Sequence, residues 1–559
     1  MDRILRLFGK EYININQAAF LLGFFAFLSQ VLALFRDRSF AHFIGPSSQL
    51  DAYFAAFRVP DLVFISVASL ASITTVIPFI VSRMKDGKVT EEASKYLNNV
   101  LTFFLAAMIF VSAVVFFLMP YLISFTAPGL DASLQSKVII LSRIMLLSPI
   151  LLGLSNLFGA VTQLFRKFFI YSLSPIFYNF GIIIGVIFLY PVFDIYGLAL
   201  GVVLGAFMHF GVQAFASGGS GFTPGFSRSV NFKEIKALLL TSLPRTFGLA
   251  FNNIALIFII ALASRLTAGS ISIFNLSFNL QSVPLYIIGI SYAVAAFPTL
   301  AKTASLGKMD EFKAHLKSAA RAIIFWSLPV TFLFIVVRAQ IVRVILGSGN
   351  FSWDDTRLVA ASLAIFSVSI IAQSMIALLS RSYYAKGDTR RPFAINLGCS
   401  ILIIILSFAF TYLFEHILLF RFFIESLLKV SDIPGTAVLM LPLAYSSGII
   451  LNFILHWFFV RKDFMGGESF ITKTFFQSLG ASFFLGLTAY IGLNLLSPIF
   501  GTTTFLGVFL QGFISGMMGI LAAILVLHLL KNEELKDIVQ TFKTKFWRAK
   551  VIAPSQEGL

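Results

Sequence analysis

LNNVLTFFLAAMIFVSAVVFF, residues 97–117, decides the fold class of this chain. The hydrocarbon core of a membrane is roughly 30 Å thick, so a helix rising ~1.5 Å per residue needs about 20 mostly apolar residues to cross it. This stretch has that length, and residues 177–192 and 505–530 meet or approach it. Because lipid offers the backbone no hydrogen-bond partners, such spans are helices. The sequence therefore predicts an all-α polytopic membrane protein.

Further apolar segments extend this pattern in both directions along the chain. Of the 559 residues, 58% are hydrophobic and 12% are charged, about half the charged fraction of soluble domains. A short leader with Arg3, Arg6 and Lys10 precedes the first segment without a small-residue cleavage site, which predicts a retained span. We count fourteen spans, near 17–36, 51–82, 97–125, 138–165, 168–190, 196–216, 235–264, 271–300, 319–342, 356–385, 393–414, 436–459, 472–495 and 504–530.

The net charge is +17, and the lysines and arginines behind it are distributed along the chain in agreement with the predicted topology. If both termini are cytoplasmic, the inside segments hold 30 of the 42 lysines and arginines, the outside loops hold 9, and 3 lie within spans. This bias is the positive-inside pattern. We therefore expect a multi-pass protein of the bacterial cytoplasmic (inner) membrane whose basic segments attract anionic membrane lipids. No nucleic-acid partner is expected.

The chain contains an internal repeat of six spans. An offset of 224 pairs Gly45 with Gly269 and Pro60 with Pro284, and three intervening pairs keep it: Ser48 with Ser272, Phe54 with Phe278 and Val59 with Val283. An even number of spans per half gives a parallel repeat, an architecture that suits two bundles rocking about a central site. Duplicated helices can also build channels or rigid scaffolds.

The repeat and a flexible connector rich in glycine and serine divide the chain into five predicted parts. They are an N-terminal lobe (1–216), the connector (217–230), a C-terminal lobe (231–465), two further spans beside which a lipid-tail groove is expected (466–530) and a basic cytoplasmic tail (531–559). Within the C-terminal lobe, Arg421, Glu425 and Lys429 form a charged stripe on an apolar segment near 416–430. This pattern is typical of a helix lying in the membrane interface, here on the outer face.

Ionisable residues inside spans usually face a cavity or a partner. Arg36 ends the first span, Asp51 opens the second, and Arg58 follows on nearly the same face, ~10 Å along the helix. The two arginines could clamp a phosphate or pyrophosphate, whose oxygens match the guanidinium fork. Alternatively, Asp51 pairs with Arg36 or Arg58 and fixes the turn between the spans.

Polar residues also share faces of the seventh and eighth spans, and prolines interrupt long apolar segments. The polar stripes predict either a hydrated cavity or interhelical hydrogen bonds. The prolines predict hinges or static kinks. The polar residues are Arg245, Asn252, Asn253, Asn275, Asn279 and Ser282, and the prolines are Pro60, Pro78, Pro284 and Pro298.

The sequence contains no enzyme motif. No nucleotide-binding G-x-x-x-x-G-K-[ST] occurs, and the six histidines lack a metal-ligand spacing. The single cysteine, Cys399, excludes an internal disulfide. We predict that the protein is not an enzyme and needs no cofactor.

Four stretches resemble the MurJ (MviN) lipid II flippases, a family within the superfamily of multidrug, oligosaccharidyl-lipid and polysaccharide exporters. They are SQVLALFRDRSFAHFIGPSSQLDAYFAAFRVPDLVF (29–64), SVPLYIIGISYAVAAFPTLAK (282–302), VRVILGSGNFSWDDTRL (342–358) and RSYYAKGDTRRPFAIN (381–396). The resemblance implies alternating-access export of lipid II, the undecaprenyl-pyrophosphate-linked peptidoglycan precursor, through a cationic cavity. It also implies a role in cell-wall biogenesis and cell shape, with cell-wall synthesis proteins as further partners.

The resemblance also assigns residue roles. Arg36 and Asp51 match family positions, and Arg58 stands where relatives carry a basic residue. Gln30 and Asn279 replace family arginines, Phe64 and Ile65 replace a basic pair, and Ser69 and Ser282 replace acidic residues. Arg245, with Arg36 and Arg58, would then supply the remaining attraction for anions.

The driving force implied by the resemblance is the membrane potential or a gradient of sodium or protons. Asn253, Asn396 and Ser400 are candidate sodium ligands by their place in the family's fold. Two alternatives stay open: an ion-coupled exporter of another lipid-linked polysaccharide or a drug, and a non-transporting scaffold for cell-wall assembly. The sequence does not predict the oligomeric state.

Overall fold

The structure is a computed structural model that describes residues 15–68, 80, 83, 90–165, 167–217, 222, 224–227, 230–467, 471–501 and 504–546. Within these ranges, the side chains of residues 15–20, 237, 241–252 and 541–546 are not described. All regular secondary structure in the described part of the chain is helical. The predicted all-α class is therefore confirmed.

The helices are numbered in chain order. The first eleven are α1 (Ile15–Phe43), α2 (Ser48–Ala56), α3 (Arg58–Val63), α4 (Glu91–Thr126), α5 (Ala132–Met145), α6 (Leu147–Leu164), α7 (Phe168–Ile184), α8 (Tyr190–Phe193), α9 (Ile195–Ser217), α10 (Phe232–Ala263) and α11 (Ser270–Pro284). The others are α12 (Ser291–Ser305), α13 (Met309–Val336), α14 (Arg338–Leu346), α15 (Trp353–Val368), α16 (Ile370–Ala385), α17 (Arg390–His416), α18 (Leu418–Leu428), α19 (Met440–Phe464), α20 (Thr472–Phe500), α21 (Phe505–Leu529) and α22 (Glu533–Phe546).

Most of the predicted spans correspond to helices of membrane-crossing length. Among the described residues, ten helices or continuous helix pairs are long and apolar enough to cross a membrane, and α15 with α16, bent by 41°, makes an eleventh. Predicted spans near 17–36 and 235–264 coincide with α1 and α10. Each of these, like the span near 51–82, includes residues that are not fully described. The multi-pass membrane protein is confirmed, and the count of fourteen remains a prediction.

By their packing, the residues fall into two compact units. Unit 1 contains Met1–Val283, Val342–Phe366 and Asp388–Asn452, and unit 2 contains Pro284–Ile341, Ser367–Gly387 and Phe453–Leu559. Unit 1 thus includes segments of both sequence halves. The two six-helix lobes and the five-part division remain predictions from the repeat.

Two local features recur at corresponding places in the sequence halves. Pro60 lies in α3 just before a π-helical stretch, Phe64–Ala68, and Pro284 ends α11 just before another, Leu285–Ile290. A proline removes one backbone donor, and π-helical turns absorb such an interruption. A serine–histidine hydrogen bond also occurs twice, once in each unit: between Ser155 Oγ and His209 Nδ1 at 2.7 Å, and between Ser380 Oγ and His456 Nε2 at 3.1 Å. These matches support the internal repeat.

Unit 1 is held together in part by a close approach of α7 and α9. A Cβ on Gly181 would lie 2.3 Å from the Gly205 Cα, so no larger residue fits there without moving a helix. Such small-residue contacts are a main source of helix association in membranes. They fix the position of α7, which contains the polar residues Tyr178 and Asn179 of unit 1.

Unit 2 has an apolar core formed by α12, α13, α16 and α19, in which Phe312, Leu316 and Met375 are buried. Helices α20 and α21 pack along each other, and Ala481 and Leu527 join a second cluster. No described contact shows a lipid-tail groove beside these two helices, so the groove remains a prediction.

The segment near 416–430 forms the separate helix α18. Its outward residues Leu419 and Phe423 are 80% and 61% exposed, whereas Glu425 is buried and accepts hydrogen bonds from Arg421 Nε at 3.0 Å and Thr436 Oγ1 at 2.6 Å. Lys429, with a φ of +61°, ends the helix. The apolar outer face agrees with a helix that lies in the membrane interface, a placement that remains a prediction.

Candidate functional site

The end of α1 carries a buried polar network in unit 1. Arg36 donates to Asp37 Oδ1 from Nε at 3.0 Å and from NH2 at 2.8 Å, and its NH1 donates to Asn179 Oδ1 at 3.0 Å. The other oxygen of Asp37 accepts from Asn279 Nδ2 at 3.0 Å. Because Asp37 is 1% exposed, this carboxylate is fully committed to its partners. The charge of Arg36 is therefore already compensated within the protein.

Arg58 has a different environment. Its NH2 donates to Asn275 Oδ1, and Asn275 is itself anchored to the Ile271 carbonyl at 2.8 Å. The Nε of Arg58 is buried and finds no acceptor among the described residues. A buried donor without a partner is unfavourable by about 1–3 kcal/mol, so this guanidinium is prepared to bind an added acceptor.

Arg36, Arg58, Asn275 and Asn279 all line one cavity of about 300 Å³ in unit 1. Aromatic walls surround the polar side chains; the other lining residues are Phe40, Tyr53, Phe54, Phe57, Asp61, Tyr178, Ile182, Leu256, Phe274 and Phe278. A largely apolar pocket with a few convergent polar groups is the usual form of a small-molecule or head-group site.

The charges around this cavity balance. Asp61 follows Arg58 by three residues on α3 and faces the same cavity, while Asp37 compensates Arg36. The described side chains thus supply two cations and two anions, in contrast to the cationic cavity that the resemblance implied. A net positive cavity would depend on Arg245, whose side chain lies outside the described residues.

Asp51 lies outside the cavity lining and caps a helix. Gly269 N donates to its Oδ2 at 2.7 Å, and Ser272 donates to its Oδ1 from N at 2.7 Å and from Oγ at 2.6 Å. These groups lie at the start of α11, where a helix favours negative charge. In the described part of the chain Asp51 forms no ion pair with Arg36 or Arg58, so that alternative is wrong.

Further hydrogen bonds join the same region of unit 1. Arg38 NH1 donates to the carbonyls of Val344 and Ile345 at 2.8 and 3.1 Å. Asn350 donates to the His42 carbonyl from N at 3.0 Å and to the Phe43 carbonyl from Nδ2 at 2.8 Å. Together with Asp51, these contacts tie the α1–α2 turn to two segments of the second sequence half.

The remaining predicted site residues fall into three groups. Gln30 and Ser282 are half-buried but do not line the cavity, and Ser282 donates to the Asn279 carbonyl at 2.7 Å. Arg245 and Asn252 lie in α10 with undescribed side chains, and Pro78 lies outside the described residues altogether. Pro298 lies within α12.

The three candidate sodium ligands lie on α10 and α17, which pack against each other. Asn396 Oδ1 accepts a hydrogen bond from Asn452 Nδ2 at 2.9 Å, and Ser400 is buried. The sodium assignment remains a prediction.

A double-mutant cycle tests the structural role of the Arg36–Asp37 pair. Arg36→Gln should destabilise the protein by about 3–5 kcal/mol because it leaves a buried carboxylate without its cation. Arg36→Gln with Asp37→Asn should be less destabilising than the sum of the single changes, with a coupling of about 0.5–3 kcal/mol. Unfolding of the purified protein in detergent measures this, and strictly additive effects would contradict the pairing.

Comparisons with known proteins identify the family of this chain. A model of the family described as lipid II flippase MurJ matches residues 40–511 of this chain. The chain belongs to this family. The MurJ family consists of flippases, so the prediction of a transport protein and not an enzyme is confirmed, as is the resemblance found in the sequence.

Individual MurJ relatives and solved structures support the assignment. A probable lipid II flippase MurJ of Borreliella burgdorferi is 28% identical over 388 residues, covering 68% of this chain and 75% of the relative. The lipid II flippase MurJ of Burkholderia cenocepacia is 25% identical over 72% of this chain and 80% of its own length.

Solved structures show the same fold. A lipid II flippase MurJ in an inward closed conformation superposes with a TM-score of 0.70 at 21% identity, over 93% of this chain and all of the other. An inward-facing multidrug resistance MATE family transporter of the MOP superfamily gives 0.63 at 14% identity, over 78% and 95%.

The sequence of this MurJ family member did not reveal several residues in and around the cavity of unit 1. No role was assigned from the sequence to Asp37, Asp61, Tyr53 or Tyr178. Asn179, which accepts a hydrogen bond from Arg36, was likewise assigned no role. The signal that could have found Asp61 is its three-residue spacing from Arg58, which places both on one helix face.

Proposed function

We propose that this protein is a flippase that moves lipid II from the inner to the outer leaflet of the bacterial cytoplasmic membrane. The single observation that carries the proposal is Arg58: a buried guanidinium in an aromatic-lined cavity, with a free Nε, in a chain of the MurJ family. Pyrophosphate oxygens are natural acceptors for such a group. The isoprenoid tail would stay in lipid while the head group occupies the cavity.

The transport cycle would require the contacts near Asp51 to open. We place both termini in the cytoplasm on the basis of the positive-inside pattern, which puts the α1–α2 turn on the outer side. The hydrogen bonds of Asp51, Arg38 and Asn350 would then close the outer end of the path in the present structure. A membrane potential or an ion gradient, of sodium or protons, would bias the cycle toward export.

Arg245 gives a test of the charge in the path. Since the described charges around the cavity balance, the attraction for a pyrophosphate would rest on Arg245 together with Arg58. Arg245→Ala should therefore lower lipid II transport by about tenfold, the effect of losing one charge-assisted hydrogen bond. Growth of a MurJ-depleted strain that expresses the variant is the measurement, and full complementation would contradict this role.

Complementation also tests the proposed function as a whole. Expression of the chain should restore viability to cells depleted of their own flippase. Failure despite normal membrane expression would favour the second candidate, an exporter of another lipid-linked glycan. The balanced charge of the cavity and the MATE-like fold are the observations that favour this alternative. A scaffold for cell-wall synthesis proteins would instead rescue growth even with the cavity arginines replaced.

A further inference from the structure

Unit 2 contains a second cavity, of about 420 Å³, far along the chain from the residues discussed above. It lies between the first half of α13 and the C-terminal helix α22. Helix α13 contributes Lys317 and Arg321, which are four residues apart and therefore share a face. Helix α22 contributes Glu533, Glu534 and Asp537. The cavity thus has a basic wall and an acidic wall.

The cavity lies at the level where α13 changes from charged to apolar. Residues 309–321 contain five charged side chains, whereas residues 322–336 contain none. Trp326 and Tyr292, which also line the cavity, are 40% and 37% exposed. Aromatic residues of this kind gather at the boundary between membrane and water. A ligand in the cavity would therefore lie at the depth of phospholipid head groups.

Helix α22 is fixed against the unit. Glu533 accepts from Lys473 Nζ at 2.8 Å and from Arg321 NH1 at 3.4 Å, and Glu534 accepts from Thr474 Oγ1 at 2.7 Å. Leu535 and Ile538 pack on the apolar cluster around Phe325. The hydrogen bond from Lys473 lowers the pKa of Glu533, so Glu533 stays anionic at neutral pH.

The basic wall retains hydrogen-bond donors that have no acceptor in the described structure. Arg321 donates to Glu533 from NH1, but its buried Nε finds no acceptor within the described residues. Lys317, which also lines the cavity, forms no ion pair with the residues that the structure describes. Both groups can therefore donate to an added anion, and phosphate is the oxygen-rich group found at this depth of a membrane.

We propose that this cavity binds the head group of a phospholipid carrying a primary ammonium, of the phosphatidylethanolamine class. The phosphate would accept hydrogen bonds from Lys317 and Arg321, and the ammonium would donate to the carboxylates of α22. The five charged lining residues sum to one negative charge, so a purely anionic head group is disfavoured. A quaternary choline head group has the same charges but no N–H donors for the acidic wall.

The bound lipid would hold α22 to α13 and so couple the C-terminal helix to the composition of the adjacent leaflet. This inference is independent of which substrate the protein transports, because its residues all lie in unit 2 and none lines the cavity around Arg58.

Native mass spectrometry of the delipidated full-length protein tests the proposal. Phosphatidylethanolamine, phosphatidylcholine and phosphatidylglycerol with identical acyl chains would be titrated separately. We expect phosphatidylethanolamine to bind about tenfold more tightly than the other two, the size of one charge-assisted hydrogen bond. Equal binding of the three lipids would overturn the proposal.

Two variants test the contributions of the basic wall and the acidic wall to lipid binding separately. Lys317→Gln should weaken phosphatidylethanolamine binding through the phosphate, and Asp537→Asn should remove the preference over phosphatidylcholine. The matched control is Lys308→Gln, since Lys308 pairs with Glu311 at 2.8 Å outside the cavity. An equal loss in the control would contradict the site. Hydrogen exchange of α22 in the delipidated protein, without added lipid, provides the second measurement. It must be as slow in Lys317→Gln as in the parent protein. Faster exchange would show that the variant undocks the helix by itself, and would also overturn the assignment.

Discussion

Arg58→Ala should abolish the rescue of flippase-depleted cells, and Arg58→Lys should restore only part of it. Arg58 is the cavity cation whose guanidinium is not held by a carboxylate hydrogen bond in the described structure, and its Nε lacks an acceptor. A charge-assisted hydrogen bond to phosphate contributes about 1.5–3 kcal/mol, so removing the guanidinium should weaken lipid II binding by about 10- to 100-fold. A lysine restores the charge without the fork.

The matched control for Arg58 is Arg143→Ala. Arg143 also lies within a predicted span, but its Nε donates to the Phe116 carbonyl at 3.1 Å and its guanidinium stacks over the Phe116 ring, away from the cavity. It should support growth and bind lipid II as the parent protein does. Equal defects in both variants would mean that the loss reflects a general requirement for arginine in these helices.

Asp51→Asn should lower the thermal unfolding midpoint of the purified protein by several degrees. The carboxylate is 3% exposed and accepts three hydrogen bonds at the start of α11. An asparagine amide would place an NH2 group against Gly269 N or Ser272 N, leaving a buried donor unsatisfied at about 1–3 kcal/mol, and it would remove the negative charge from the helix N-terminus. The same change should impair transport, because the contact closes the proposed outer end of the path.

Asp131→Asn is the control for Asp51. Asp131 also caps a helix, accepting from Leu134 N at 2.9 Å at the start of α5, but it is exposed to solvent. Asparagine is as good an N-cap as aspartate, so the unfolding midpoint should not move. A midpoint for Asp51→Asn that stays within the range of this control would show that the buried cap contributes little.

Much of the fold could be predicted from hydrophobic length alone, because a membrane permits only internally bonded helices in such segments. The repeat was visible in Pro60 and Pro284, and the structure adds their shared π-helical turns. The breaks inside spans were less predictable. The interruption at Phe57, between α2 and α3, has no glycine or preceding proline to mark it.

The candidate site was only partly predictable because its charges compensate one another through tertiary contacts. Periodicity placed Asn275 and Asn279 on one face, and both line the cavity. It could not show that Asp37 joins Arg36 to Asn279, or that Asp51 turns toward α11, since those contacts join residues more than 200 positions apart. The acidic wall of α22 was hidden for the same reason: Glu533 meets Arg321 across 212 positions.

The central claim, that this chain moves lipid II outward through the cavity around Arg58, is tested most directly by the leaflet distribution of lipid II in cells. Cells depleted of their own flippase would express the parent chain, Arg58→Ala or Arg143→Ala at equal levels, and the fraction of lipid II exposed at the outer leaflet would be measured before growth fails. The account predicts that the parent and Arg143→Ala restore outward exposure and that Arg58→Ala does not. Lipid II that stays in the inner leaflet with the parent chain, or exposure that is undiminished in Arg58→Ala, would contradict it.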